Sequence, residues 1–322
     1  MDFDQTIYAQ IFRFILGFIC VLGNIFILCL FWRYKKLRKA PYNVLVALLA
    51  ISDLLIGIGV FIRGSYGMYT ATNDIHIFTK RSCQLANIVS GFGITSNQAI
   101  IIGVAADRLT AVWRPTSYTK NFSMIIPSVS FAIATIYVIL IGYISVAGSN
   151  PDDLITVCSM APASTQIFSI TFAVTSGTQA ILVNAIYIAS LILVKKRLSL
   201  IGGSGTSSTS RKVFIYVTLI LVTQIIFWEI PIVFLIISML FQLPPGTKAY
   251  VTLAIGFGSA LNAAIGTLIC IFKNHEIREY TKAFFGRQNS VISAGHSLKN
   301  AQTTTVAPTS TSRRHTVIVT LT

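Results

Sequence analysis

Two carboxylates, one Asp-Arg pair and two cysteines stand out for the chemistry their surroundings allow. Asp53 follows Leu49-Ala50-Ile51-Ser52, and Glu229 sits in Phe227-Trp228-Glu229-Ile230-Pro231. Both are embedded in apolar sequence. A carboxylate surrounded by hydrocarbon is costly, and such a group is a functional-site candidate that pairs, handles protons or meets a cation. Pro231, two residues beyond Glu229, cannot complete a helical hydrogen bond and bends its helix. Asp107 and Arg108 close another apolar run. Arginine is always charged and presents several donors, so Arg108 can pair with its neighbour or with another protein surface.

Other chemistries are poorly served. His76, His275, His296 and His315 fall in loops or the tail, and neither a metal-ligand cluster nor a nucleophile–base pair is visible. An enzyme is not expected. The chain of 322 residues is 54% hydrophobic and 11% charged, whereas soluble globular proteins carry about 25% charged residues. That excludes an ordinary soluble enzyme, and disorder throughout is excluded by the hydrophobicity. The net charge of +15 would suggest nucleic acid in a soluble chain. Here its distribution points to a lipid bilayer instead, and no nucleic-acid partner is expected.

The elements that must hold these residues are membrane helices. Seven apolar stretches cover roughly 9–32, 43–62, 83–106, 124–147, 165–194, 213–240 and 249–272, each near the ~20 residues a spanning helix needs. None alternates in the manner of a barrel strand. Twenty of the 25 basic residues fall on one side of the resulting topology. Basic residues stay in the cytosol, so the N-terminus is expected outside and the C-terminus inside, in the plasma membrane. No cleavable signal peptide is expected, since the first stretch is too long for one. Arg13 and Arg63, near outer helix ends, are expected to snorkel to the interface.

Cys83 and Cys158 are then the only cysteines on the oxidising side. A disulfide between them would tie the second outer loop over the bundle mouth; the alternative is two free thiols. Asn274 can cap a short helix at about 275–285, on which Ile277, Tyr280, Phe284 and Phe285 share an apolar face suited to the membrane surface. The expected fold is an all-α membrane protein, a seven-transmembrane helix bundle with a short amphipathic eighth helix. Residues 1–8 form an extracellular N-terminus, 9–286 the membrane domain, and 287–322 a disordered cytoplasmic tail rich in Ser and Thr.

Particular residues carry a family resemblance. Gly23-Asn24 lies in the first span, Leu49-Ala50-Ile51-Ser52-Asp53 in the second, and Asp107-Arg108-Leu109 ends the third, 25 residues after Cys83. This combination resembles the rhodopsin-like G-protein-coupled receptors over about residues 7–286. The later helices depart from the family pattern. The fourth has no Trp, and Gln179 stands where the fifth has Pro if Tyr187 is that helix's inner Tyr. Trp228 is one residue out of place before Pro231, with Glu229 in its slot. Asn262 matches the first Asn of the seventh helix, while Gly266, Thr267 and Cys270 replace an Asn-Pro-Tyr signature. Intact early helices with eroded later ones are most similar to the nematode serpentine chemoreceptors of the srsx type.

The resemblance implies a receptor that binds an extracellular small molecule or short peptide and activates a heterotrimeric G protein. Asp107, Arg108, Leu109, Lys195, Lys196, Arg211 and Lys212 would form the coupling surface. Relatives often hold the arginine with an acidic residue on the sixth helix; Arg211 and Lys212 are basic, so that lock is missing. Asn87, Ser90, Gly91 and Ile94, at helical spacing on the third helix, would face a small, polar, uncharged ligand pocket with Trp228 and Glu229. Glu229 would be protonated or would pair with a ligand cation, unless it bonds neighbouring backbone. Asp53, Asn97, Pro231 and Asn262 would form the activation switch. Asp53 is a weak sodium candidate, the alternative being a hydrated polar network; no other cofactor is implied. Ser90 and Ala260 occupy the positions of an amine-binding Asp and a retinal-binding Lys, which argues against those ligands. A neuropeptide receptor is the nearest alternative. A seven-helix ion or proton transporter using Asp53 and Glu229 is the alternative from another class.

Overall fold

The computed structural model describes residues 6–113, 120–200 and 218–286. Arg211, Lys212 and the expected tail from 287 lie outside the described residues. The chain divides into two compact units, Met1–Thr281 and Lys282–Thr322. Of the second, only Lys282 to Gly286 is described, and within it the rings of Phe284 and Phe285 meet edge-on.

Helices dominate because continuous apolar sequence in lipid must satisfy its own backbone groups. The spanning helices are α1 (Ile7–Arg33), α2 (Pro41–Thr72), α3 (Lys80–Trp113), α4 (Lys120–Val146) and α5 (Gln166–Leu200). They continue with α6 (Thr218–Leu240) and α7 (Pro245–Lys273). All seven are long and apolar enough to cross a membrane. Each stop has a local cause. Pro41 opens α2 at its first turn, where a missing N–H costs nothing. The second span runs ten residues past the hydropathy estimate, to Thr72, because nothing breaks the helix before Asn73 and the positive-φ residue Asp74.

The bundle is apolar outside and small or polar inside. Ile133, Ile136, Ile139 and Tyr143 of α4 are exposed, whereas Asn24, Ser52, Gln98 and Ser130 are buried. Small residues let helices approach, which is how membrane helices gain packing without a hydrophobic driving force. A Cβ on Gly59 of α2 would lie 2.6 Å from the Cα of Ser90, and one on Gly93 of α3 would lie 2.6 Å from the nitrogen of Ile56. These two glycines set the α2–α3 distance and thereby the position of Ser90.

Between α4 and α5 the chain forms a lid. Strand β2 (Leu154–Ile155) pairs antiparallel with β1 (Phe78–Thr79), with Phe78 opposite Ile155. Lys80 Nζ meets Asp153 Oδ2 at 2.7 Å. A disulfide joins Cys83 to Cys158, and one helical turn, Met160–Ala163, leads into α5.

Helix α6 contains a π-helical stretch, Ile225–Glu229, immediately before Pro231. A widened turn accommodates the proline ring, which would otherwise meet the carbonyl of Phe227 four residues earlier. The last helix, α8 (His275–Phe284), is capped by Asn274, whose Oδ1 accepts from the backbone N–H groups of Glu276 at 3.1 Å and Ile277 at 3.3 Å. Ile277 does not face lipid as an isolated amphipathic helix would suggest. It is buried with Ile27, Leu30, Val46 and Cys270. Asn43 Nδ2 donates to Glu276 Oε2 at 2.6 Å, and Tyr34 packs on Tyr280.

Candidate functional site

A cavity of about 110 Å³ opens beneath the lid, at the end of the bundle that holds the disulfide. Asn87, Ser90, Gly91 and Ile94 all line it, from one face of α3. The two polar ones turn back on their own helix: Asn87 Nδ2 donates to the Cys83 carbonyl at 2.8 Å, and Ser90 Oγ donates to that of Asn87 at 2.9 Å. Gly91 makes room for the lid, since a Cβ there would lie 3.1 Å from Met160 Cε. Ser159 anchors the lid across the opening through contact with Thr252 Oγ1 of α7 at 3.0 Å.

Two expectations about this pocket are corrected. It is not uncharged, because Arg13 of α1 and Arg63 of α2 line it. Neither snorkels; they are 5% and 6% exposed. Arg13 Nη1 donates to Gln10 Oε1 at 2.8 Å, and its guanidinium lies 4.7 Å from the ring centre of Phe257. Arg63 Nη2 donates to the backbone carbonyl of Cys158 at 2.7 Å, so the disulfide-linked lid draws it inward. Second, Trp228 and Glu229 do not line the cavity. They belong to the π-helical stretch, which changes the helical phase before Pro231. The Trp228 ring meets the cavity-lining Phe172 edge-on, with centroids 6.2 Å apart. Glu229 is buried elsewhere, where Asn184 Nδ2 of α5 donates to its Oε2 at 2.7 Å.

Below the cavity, Trp228 lines a small chamber with Asp53, Asn97, Gln224 and Asn262. Asn97 Nδ2 donates to Asp53 Oδ1 at 2.8 Å. Asn262 reaches Gln224 of α6 instead of Asp53, donating to its Oε1 at 2.9 Å. A neighbouring chamber towards the other end is lined by Asp53, Asn97, Asn262, Gly266 and Thr267, among others. Asp53 is the one carboxylate lining either chamber among the described residues.

About 37 Å of continuous helix, at about 1.5 Å per residue, separates Cys83 from Arg108. At that far end Arg108 Nε donates to the fully buried Asp107 at 3.1 Å, and Nη2 reaches the same oxygen. The Arg108 guanidinium also sits 3.8 Å from the ring centre of Tyr42 in α2, a cation–π contact. Leu109 is partly buried, and Lys195 and Lys196 are exposed near the end of α5.

Arg13, Arg63, Gln224, Asn184 and Tyr42 were not singled out as site residues from sequence. Gln224 and Asn184 do carry a signal, as amides in apolar runs that need a partner across the bundle. Tyr42 carries none, since a tyrosine at the start of a membrane helix is common at the interface.

Comparison with known proteins agrees with this geometry. The chain is 24% identical over 160 residues to cannabinoid receptor 1 of Taricha granulosa, covering 48% of the chain and 32% of the relative. It is 25% identical over 141 residues to muscarinic acetylcholine receptor gar-2 of Caenorhabditis elegans, covering 40% and 22%. It is 22% identical over 139 residues to nematocin receptor 2 of the same organism, covering 41% and 33%. The chain thus spans about a third or less of each of these curated relatives. The model of the Srsx family of serpentine-type seven-transmembrane chemoreceptors matches residues 17–285. With seven spanning helices, the lid disulfide and the Asp107–Arg108 pair in place, the chain is a multi-pass membrane protein that belongs to the Srsx family of G-protein-coupled chemoreceptors.

Proposed function

We propose that the chain binds a small extracellular molecule in the cavity beneath the lid and activates a heterotrimeric G protein through Arg108 and the inner ends of α3, α5 and α6. The N-terminus and lid face outside in this reading, and the Arg108 end faces the cytosol, in line with the 20 basic residues on that side. The observation that carries it is the layering along the bundle. A ligand cavity touches Phe172, Phe172 touches Trp228, and Trp228 borders the chamber of Asp53, Asn97 and Asn262. Occupying the cavity can thereby bias the π-helical bend before Pro231, which swings the inner half of α6. A cavity of about 150 Å³ admits benzene, so 110 Å³ favours a small molecule over a neuropeptide.

The test is basal and odorant-evoked activation across a panel of Gα subunits in cultured cells, with Arg108→Ala at matched surface level as control. Signal lost in the control supports the reading. Equal signal in both for every Gα overturns it.

A further inference from the structure

Where α1 ends, a lipid-facing stripe runs straight into a cluster of cations. On α1, Ile15, Phe18, Leu22, Ile25, Cys29 and Trp32 are all exposed. Their spacings alternate between three and four residues, which keeps them on one helix face. The stripe ends at Trp32, 79% exposed, and tryptophan at the end of a membrane helix sits at headgroup level. Helix α1 stops at Arg33. The chain then turns through short-range hydrogen bonds, in which Leu37 N–H donates to the Tyr34 carbonyl at 3.0 Å, Lys39 N–H to that of Lys36 at 3.2 Å, and Ala40 N–H to that of Leu37 at 3.3 Å. In so tight a turn, residues three apart lie on one side, which pairs Lys35 with Arg38 and Lys36 with Lys39. All four are exposed, as is Arg33, whereas Leu37 between them is buried. Leu37 shares one cluster with Leu30, Val46, Cys270 and Ile277, and Tyr34 packs on Tyr280. Helices α2, α7 and α8 thereby hold the turn with its cations outward. No Asp or Glu stands between residues 5 and 52 of the sequence, and Glu276 of α8 accepts from Asn43.

From this arrangement we propose that the turn between α1 and α2 binds the headgroup of a multiply phosphorylated inositol lipid, with the lipid's chains along the exposed stripe of α1. A cluster of four or more Lys and Arg directly beyond a membrane helix attracts anionic lipid, and the attraction grows with each cation. Like charges crowded on one short turn repel each other. A headgroup carrying several negative charges relieves that repulsion in a single binding event, whereas a singly charged headgroup relieves only part of it. Lysine meets phosphate as a point charge and arginine as a planar fork. Because Leu37 is anchored, little ordering of the turn is needed on binding. The stripe favours a lipid over an acidic protein surface, since it leads from the hydrocarbon layer through Trp32 to Lys35 and Lys36. The leaflet is the inner one in the orientation that puts the Arg108 end in the cytosol, where anionic lipids concentrate.

Thermal unfolding of the detergent-purified full chain tests it with four probes. Three are dioctanoyl lipids, namely phosphatidylinositol bisphosphate, phosphatidylserine and phosphatidylcholine, and the fourth is free inositol trisphosphate. The bisphosphate lipid is expected to raise the midpoint at about tenfold or more lower concentration than phosphatidylserine, with phosphatidylcholine inert. Lys35→Gln, Lys36→Gln, Arg38→Gln and Lys39→Gln are each expected to weaken the bisphosphate lipid by up to about fivefold, and their combination to erase its preference over phosphatidylserine. Arg81→Gln, which removes an exposed cation at the lid end, should leave that preference intact. Trp32→Ala should weaken the lipid and leave the free trisphosphate unchanged. The lipid-to-lipid ratio is internal to each variant, so a general loss of stability does not mimic the result. The proposal is overturned if phosphatidylserine matches the bisphosphate lipid, or if the single and combined glutamine variants keep the full preference. Free trisphosphate that stabilises as strongly as the lipid would overturn it in favour of a soluble polyphosphate. Glutamine variants that keep the lipid response but lose Gα activation at matched surface level would assign the turn to an acidic protein surface instead.

Discussion

The carbonyl oxygen of Phe227 in α6 rests against Gly258 in α7, so close that a Cβ at Gly258 would overlap it. The contact arises from Pro231. Lacking an N–H, Pro231 cannot engage the carbonyl four residues before it, which is that of Phe227. The widened π turn instead leans this part of α6 onto a residue without a side chain. The bend and the α6–α7 contact are one feature, and it lies beside Trp228.

Gly258→Ala therefore separates α6 from α7 where the bend forms. Overpacking of this kind costs about 1–3 kcal/mol, and a lower midpoint of thermal unfolding in detergent is expected. Gly266→Ala on the same helix is the control, because a Cβ there meets nothing within 4 Å. It should be neutral or slightly stabilising. Equal midpoints for Gly258→Ala and Gly266→Ala would contradict the close contact.

Asn184 and Glu229 link α5 to α6 within the bilayer at 2.7 Å. Asn184→Leu leaves a buried carboxyl group without this partner, which costs about 1–3 kcal/mol. Glu229→Gln keeps a hydrogen-bonding group of the same shape and should cost less. Thermal unfolding of the two variants orders them directly, and the reverse order would show that the link contributes little.

Arg108 is held by Asp107 and by the face of Tyr42. A cation–π contact contributes about 0.5–2 kcal/mol, so removing the ring should release Arg108 more often and raise basal signalling about twofold or more. Tyr42→Leu is the test and Tyr42→Phe, which keeps the ring, the control. The measurement is G-protein activation without added ligand at matched surface level. A Tyr42→Leu variant no more active than the parent would show that the ring takes no part in the resting hold.

Sodium should bind weakly at Asp53. Asn97 already occupies one Asp53 oxygen with an amide N–H, Asn262 turns to Gln224 instead of Asp53, and Gly266 has no side chain to offer. A hard cation wants several oxygen ligands. Replacing sodium chloride by choline chloride at equal ionic strength should leave the unfolding midpoint unchanged. A clear drop that Asp53→Asn abolishes would establish a functional sodium site.

Much of this molecule is legible along the chain, because hydropathy and helix breakers act locally. Seven apolar runs, the alternatives for Cys83 and Cys158, the Asp107–Arg108 pair and the face of Asn87, Ser90, Gly91 and Ile94 need only composition, spacing and helical period. Family membership follows from the same short motifs. What the sequence left open depends on helix phase and on partners distant in the chain. Arg13 and Arg63 lie near helix ends, where snorkelling and turning inward satisfy local rules equally well. The lid carbonyl of Cys158, 95 residues from Arg63, and the amide of Gln10, held against α2, are contacts that favour the interior. From sequence, Trp228 and Glu229 belong to the ligand pocket, whereas in the structure they lie in the π turn before Pro231 and off the cavity wall. Asn262 found Gln224 because α6 and α7 are packed there, a fact no local pattern encodes. Tertiary packing thus turned an expected uncharged pocket into one lined by two arginines, since the side chain a helix buries is settled by the neighbour it meets.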